Sequence, residues 1–126
     1  MFFRKKKPQG GAYFSFVNRS SIFLEPTDAF LEWAKHNPDE SDDIVLSVLR
    51  DEVSAYLIPE MDADLDEWLK LHYPDLFEHE LYAWVKDEKF WPEDRSYEAF
   101  RRYFKIHFSS SVIDASDEPL ENSSYE

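Results

Sequence analysis

The chain has no cysteine, and its only glycines are Gly10 and Gly11, so everything after residue 11 folds without either residue. Without cysteine there is no disulfide framework, no Cys-based zinc finger, no iron–sulfur cluster and no thiol nucleophile. Without internal glycine, neither a P-loop nor a dinucleotide fingerprint nor any other Gly-rich phosphate cradle can be written. What remains must be held by apolar burial, and the composition provides for it. The 126 residues are 43% hydrophobic and 17% aromatic, enough for one domain with a core and too apolar for a disordered acidic chain.

Strand and helix patterns alternate along the sequence. Residues 12–17 and 21–24 are aromatic and β-branched runs suited to strands, joined at Asn18-Arg19-Ser20 either as a hairpin or as one long bent strand. Pro26 closes the run. Thr27 then offers an N-cap oxygen with Asp28 in the first turn, and Phe30, Leu31 and Ala34 share one side of the predicted helix. It stops at His36-Asn37-Pro38. Residues 39–52 read equally as a helix starting at Ser41 or a strand through Ile44 and Val48. Residues 53–58 read as a strand closed by Pro59. Acids at 62, 64, 66 and 67 open the next helix, in which Leu65, Trp68, Leu69 and His72 share a face. Pro74 either kinks that helix or opens a second one, whose stripe is Phe77, Leu81, Trp84 and Val85. After Phe90-Trp91-Pro92, Ser96 or Asp94 caps a last helix predicted to carry Phe100, Tyr103, Phe104 and His107 on one face. Residues 110–113 read as a closing strand.

The expected fold is therefore α+β: a small, mostly antiparallel sheet of two to four strands with three or four amphipathic helices packed on one face. Residues 12–115 form the single domain, between a basic flexible tail (1–11) and an acidic flexible tail (116–126).

Charge is distributed unevenly. Residues 1–19 hold Arg4, Lys5, Lys6, Lys7 and Arg19 and no acid, so against a whole-chain charge of −13 the remainder sums to −18. A polyanion of this kind repels nucleic acid and anionic membrane, which leaves the Arg4–Lys7 cluster as the one segment suited to either. No apolar run approaches the roughly 18 residues of a membrane span. The start of the chain is charged but lacks the apolar stretch of a secretory signal, so a cytoplasmic location is expected.

Candidate chemistry is sparse. His72, Asp75, Glu78 and His79 form the best metal-like grouping, and 72, 75 and 79 share a helical face if the helix runs through Pro74. The alternative is a solvated face, since a carboxylate near a histidine is expected by chance in a chain with 27 acids. Neither a metal nor an organic cofactor is expected. Among the many paired carboxylates, Glu60 in Leu57-Ile58-Pro59-Glu60 is the one acid flanked by apolar sequence. No serine sits in a nucleophile elbow. Four tryptophans, seven tyrosines and eleven phenylalanines suit a core packed with rings, with Trp91, beside Pro92 and near Arg95, as the expected exposed exception.

Three stretches carry a resemblance: Asn18-Arg-Ser-Ser-Ile-Phe-Leu-Glu-Pro26 leading to Phe30-Leu-Glu-Trp33, Ala55-Tyr-Leu-Ile-Pro-Glu60, and Trp91-Pro-Glu-Asp-Arg-Ser-Tyr-Glu-Ala-Phe100 with Tyr103-Phe104. They resemble a group of small acidic bacterial proteins that pair an NR…P…FLxW start with YLIPE and WPxxRxxxxFxxWF. Tyr103 stands where that pattern has Trp, and residues 1–17 lie outside it. The resemblance implies one compact domain and brings no activity, ligand or catalytic residue.

Two functions from different classes remain. One is a non-enzymatic protein-interaction domain of inhibitor, immunity or regulatory type, binding a protein partner whose surface is basic. The other is a small enzyme or ligand-binding domain using Glu60, Arg95 with Trp91, or the His72/Asp75/His79 group, which requires those side chains to meet in a concave pocket.

Overall fold

Apolar side chains at every second position through residues 22–26 and 104–108 give each of these stretches one face to bury. The computed structural model describes residues 4–6, 13–36, 53–62 and 64–123, and within them these stretches form the centre of an α+β fold. The order is β1 (Arg4–Lys6), β2 (Tyr13–Val17), β3 (Arg19–Pro26), α1 (Asp28–Lys35), β4 (Ala55–Pro59), α2 (Leu65–Trp84), a 3₁₀ turn (Glu88–Phe90), α3 (Tyr97–Tyr103), β5 (Phe104–Ser109) and β6 (Val112–Asp114). Strands β1-β2-β6 make one three-stranded sheet and β4-β3-β5 another, every pairing antiparallel. β1 falls within the segment read from sequence as a tail, and pairs Lys5 with Phe14. The two readings of residues 39–52 lie outside the described residues.

Two sheets arise where one was expected because β2 and β3 are a single bent strand, not a hairpin. β2 pairs with β6 and β3 with β5, so the partner of the bent strand is the β5–β6 run. Val17 lies opposite Val112 and Ser21 opposite Ser109, so Asn18, Arg19 and Ser20 are spanned by only Ser110 and Ser111. That one-residue excess is a β-bulge, which bends the strand and divides the ladder. Ser20 is fully buried at this corner. Its hydroxyl donates to the Met61 carbonyl at 3.2 Å and accepts from Met61 N–H at 2.9 Å, tying the bend to the end of β4.

The register divides β4-β3-β5 into two faces. Ile22, Leu24 and Pro26 share the inner face with Tyr56 and Ile58 of β4 and with Phe104, Ile106 and Phe108 of β5. Phe23, Ala55, Leu57 and His107 share the outer face, where Phe23 and His107 stack at 5.0 Å. Inner-face Ile22, Leu24, Ile58 and Phe104 join Phe30 and Ala34 of α1, Leu69, Phe77 and Leu81 of α2, and Ala99 and Phe100 of α3 in one core cluster. Each Ile, Leu or Phe side chain among them, fully buried, contributes about 1.5–3 kcal/mol relative to exposure. Rings dominate its centre: Phe104 lies 5.0 Å from Phe30, 5.5 Å from Phe100 and 6.0 Å from Phe77.

Several local expectations change. The last helix does not continue to His107: α3 ends at Tyr103 and the chain passes directly into β5. Residues 104–108 satisfy a two-residue period as well as a helical one, and six paired positions along β3 decide in favour of the strand. Thr27 occupies the N-cap position of α1, yet its hydroxyl donates to the Arg102 carbonyl at 2.6 Å and does not accept from the helix. Carbonyls ending α3 lack partners within their own helix, and Thr27 serves them, its N–H also donating to the Tyr103 carbonyl. Ser96 does cap α3, accepting from Ala99 N–H at 3.1 Å, while Asp94 accepts from Ser96 N–H. α2 runs uninterrupted through Pro74 for 20 residues.

Candidate functional site

The side chains proposed from sequence are held by different elements. Glu60 follows β4 and is exposed. On α2, His72 is exposed and stacks on Trp68 at 4.5 Å, one turn away, while Asp75 and Glu78 are exposed and His79 is partly buried. Among the described residues, no group of three or more His, Asp or Glu side chains is placed to hold a metal ion. Trp91 and Arg95 do meet, the guanidinium lying 5.6 Å from the ring centroid. They form a structural clasp. Trp91, expected as the exposed exception, is half-buried against the core and donates its indole N–H to the Val85 carbonyl at 2.6 Å. Arg95 donates to the Pro92 carbonyl and to Glu88 Oε1 at 3.2 Å.

One polar cluster was missed in the sequence. Tyr56 points from the inner face of β4 towards α2, where Glu80 occupies the buried side of the helix with Leu76 and Phe77. The Tyr56 hydroxyl donates to Glu80 Oε2 and lies 2.8 Å from His79 Nδ1. A phenol has one proton to give, so while Glu80 is ionised it is His79 Nδ1–H that donates to the phenol oxygen. Burial pushes the Glu80 carboxyl above its ordinary range, against the smaller opposing pull of hydrogen bonds from Tyr56, Ser54 and His79. Glu80 is only 7% exposed, so its carboxyl closes the gap between helix and sheet and itself presents little surface to a ligand.

An open groove lies elsewhere, on the outer side of the bend. Val17 and Val112, paired across β2 and β6, meet Leu57 from the outer face of β4, and the chain after β6 returns over them as far as Leu120. These side chains, with Ile113 and Asp114, line a groove of about 540 Å³. Its apolar walls stand in water: Leu57 is 54% exposed, Ile113 52% and Leu120 68%. A second cleft of about 350 Å³ shares Asp114, Ser116 and Leu120 with it and adds Asp117 and Glu118. Asp114 Oδ1 accepts from Ser116 N–H at 2.9 Å, and Ser116 Oγ accepts from Glu118 N–H at 3.1 Å, which sets the carboxylates along the rim. No Lys or Arg follows Lys105 in the sequence.

None of Glu60, His72, Asp75, His79, Trp91 and Arg95 lines the groove or its neighbouring cleft. Sequence reading missed the groove because its walls come from distant segments and because residues 116–120 read as tail. Two signals were present: Leu57 lies on the opposite strand face from Tyr56 and Ile58, and Leu120 is an isolated aliphatic in an acidic run. No helix among the described residues is long and apolar enough to cross a membrane. No family model, curated protein or solved structure matches the chain, so the resemblance rests on the quoted stretches alone.

Proposed function

We propose that the chain is a non-enzymatic protein-interaction domain, of the inhibitor, immunity or regulatory kind, and that it docks its partner on the groove at the bend. The observation that carries this reading is the water-exposed apolar wall of Leu57, Ile113 and Leu120 around a concave space of about 540 Å³. Exposed aliphatic side chains grouped around a cavity mark interaction sites, whereas single exposed ones need no explanation. The dispersal of Glu60, Arg95 and the His72/Asp75/His79 group supports it further, since an active site built on them requires their convergence.

Affinity purification with the wild type and with the Leu57→Ser/Leu120→Ser double variant tests the reading. Both residues are exposed, so the variant is expected to keep its fold, verified by circular dichroism. A partner identified by mass spectrometry and then purified should bind the variant at least tenfold more weakly than the wild type. Equal affinity for both, or no partner retained by the wild type at low salt, overturns the proposal.

A further inference from the structure

Resting on that reading, we infer that the groove takes a cationic segment of a partner protein, with an aliphatic side chain seated between Leu57, Val112 and Leu120 and a neighbouring Lys or Arg against the rim. The two halves of this recognition are adjoining spaces. The apolar groove and the acidic cleft share Asp114, Ser116 and Leu120, so a chain that fills one is already beside the other. Residues i and i+2 of an extended peptide point to the same side, about 6.6 Å apart, which suits an apolar residue in the groove with a cation two positions along against the rim.

The rim carboxylates are uncommitted. Among the described residues, Asp114, Asp117 and Glu118 make no ion pair; Asp114 accepts from the Ser116 N–H, and the backbone N–H of Glu118 donates to Ser116 Oγ. Some acids elsewhere are paired, Asp66 with Lys70 and Arg101, Glu88 with Arg95 and Asp94 with Arg102, while others such as Asp75 and Glu78 stand in water as the rim acids do. What marks this end of the molecule is that its acids border an apolar groove, on a chain of net −13. Such a field selects cationic partners, hastens their approach, and repels anionic peptides, nucleic acid and anionic lipid.

The probes are fluorescent nonapeptides with Ser at every even position and, at the odd positions, Leu alternating with Lys, with Ser or with Glu, titrated against the full chain by anisotropy at low and high salt. The Lys–Leu peptide is expected to bind at least tenfold more tightly than the Ser–Leu peptide, and the Glu–Leu peptide not at all. Its affinity should fall about tenfold on raising NaCl from about 50 to 500 mM, because exposed charges are screened. It should also fall at least tenfold in Leu57→Ser/Leu120→Ser and, separately, in Asp114→Asn/Asp117→Asn/Glu118→Gln. Equal binding of the Ser–Leu peptide overturns the cationic requirement. Undiminished binding of the Lys–Leu peptide by the Leu57→Ser/Leu120→Ser variant overturns the placement, since the peptide then responds only to net charge. A dimer in sedimentation that disappears with Arg4→Ser, Lys5→Ser, Lys6→Ser and Lys7→Ser makes the basic N-terminal segment of a second copy, released from its pairing with β2, the occupant and overturns the inference. If no peptide binds while a purified partner depends on Leu57 and Leu120, this inference fails and the interaction-domain reading stands.

Discussion

Glu80 is the residue whose environment departs furthest from what its sequence neighbours announce. It sits in an ordinary-looking helix among other acids, yet burial raises its carboxyl pKa while Tyr56 donates to it. A carboxyl whose proton is held more tightly in the folded state contributes stability that is fully present below the unfolded carboxylate range and is lost as pH rises through the folded value. Glu80→Gln keeps an oxygen for Tyr56 and removes the charge. Comparing urea unfolding of the two proteins from about pH 4 to pH 7 should therefore show the variant gaining on the wild type as pH rises. A gap that is flat with pH, or one that widens in favour of the wild type, would mean that Tyr56, His79 and Ser54 outweigh desolvation. At this scale the sequence was poorly legible. Periodicity places Glu80 on the helix but cannot say that β4 delivers a phenol to it, and Ser20 likewise gives no local sign that its hydroxyl will join the bend to Met61.

Single elements were the most legible scale, because their boundaries are set by local chemistry. Pro26, Pro59 and Ser96 mark ends that the structure keeps. The exceptions are instructive. Residues 104–108 fit both periods, and only the presence of β3 as a partner separates helix from strand. Pro74 is tolerated inside α2 because it and Lys70, whose carbonyl loses its usual donor, are both exposed, so water can replace the missing bond. Removing the proline restores that bond and relieves its ring's clash with the preceding turn, a gain of about 3 kcal/mol, offset by up to about 1 kcal/mol of extra freedom in the unfolded chain. Pro74→Ala should stabilise the protein by about 2 kcal/mol, read as a higher urea midpoint at unchanged slope. No gain in the midpoint would show that the helix already accommodates the ring without loss.

For the molecule as a whole, the dominant quantity is charge, and it acts on folding and binding with opposite signs. A net −13 repels itself in the compact state, and salt screens that repulsion beyond about 8 Å at physiological ionic strength. Raising NaCl from about 10 to 150 mM should increase the melting temperature measured by circular dichroism, while weakening capture of a cationic partner. A melting temperature that falls with salt would place the paired surface charges, such as Lys70 with Asp66, above the general repulsion. The α+β class was legible at this scale from the alternation of patterns. The groove was not, because Val17, Leu57 and Leu120 become neighbours only when the ladder bends.

That bend gives the chain something like a reading frame. Upstream of the bulge, partner positions in the β2–β6 ladder are offset by one residue from those in β3–β5. Deleting Asn18 would bring the two ladders into phase, so that the side chains of β2 exchange sides while the core beneath β3 keeps its own. Val17 would leave the groove wall and Phe16 would take its side. A single codon at this point thus sets the shape of the surface offered to a partner, separately from the stability of the core, and changes of length there alter what the protein can grip while leaving intact what holds it together.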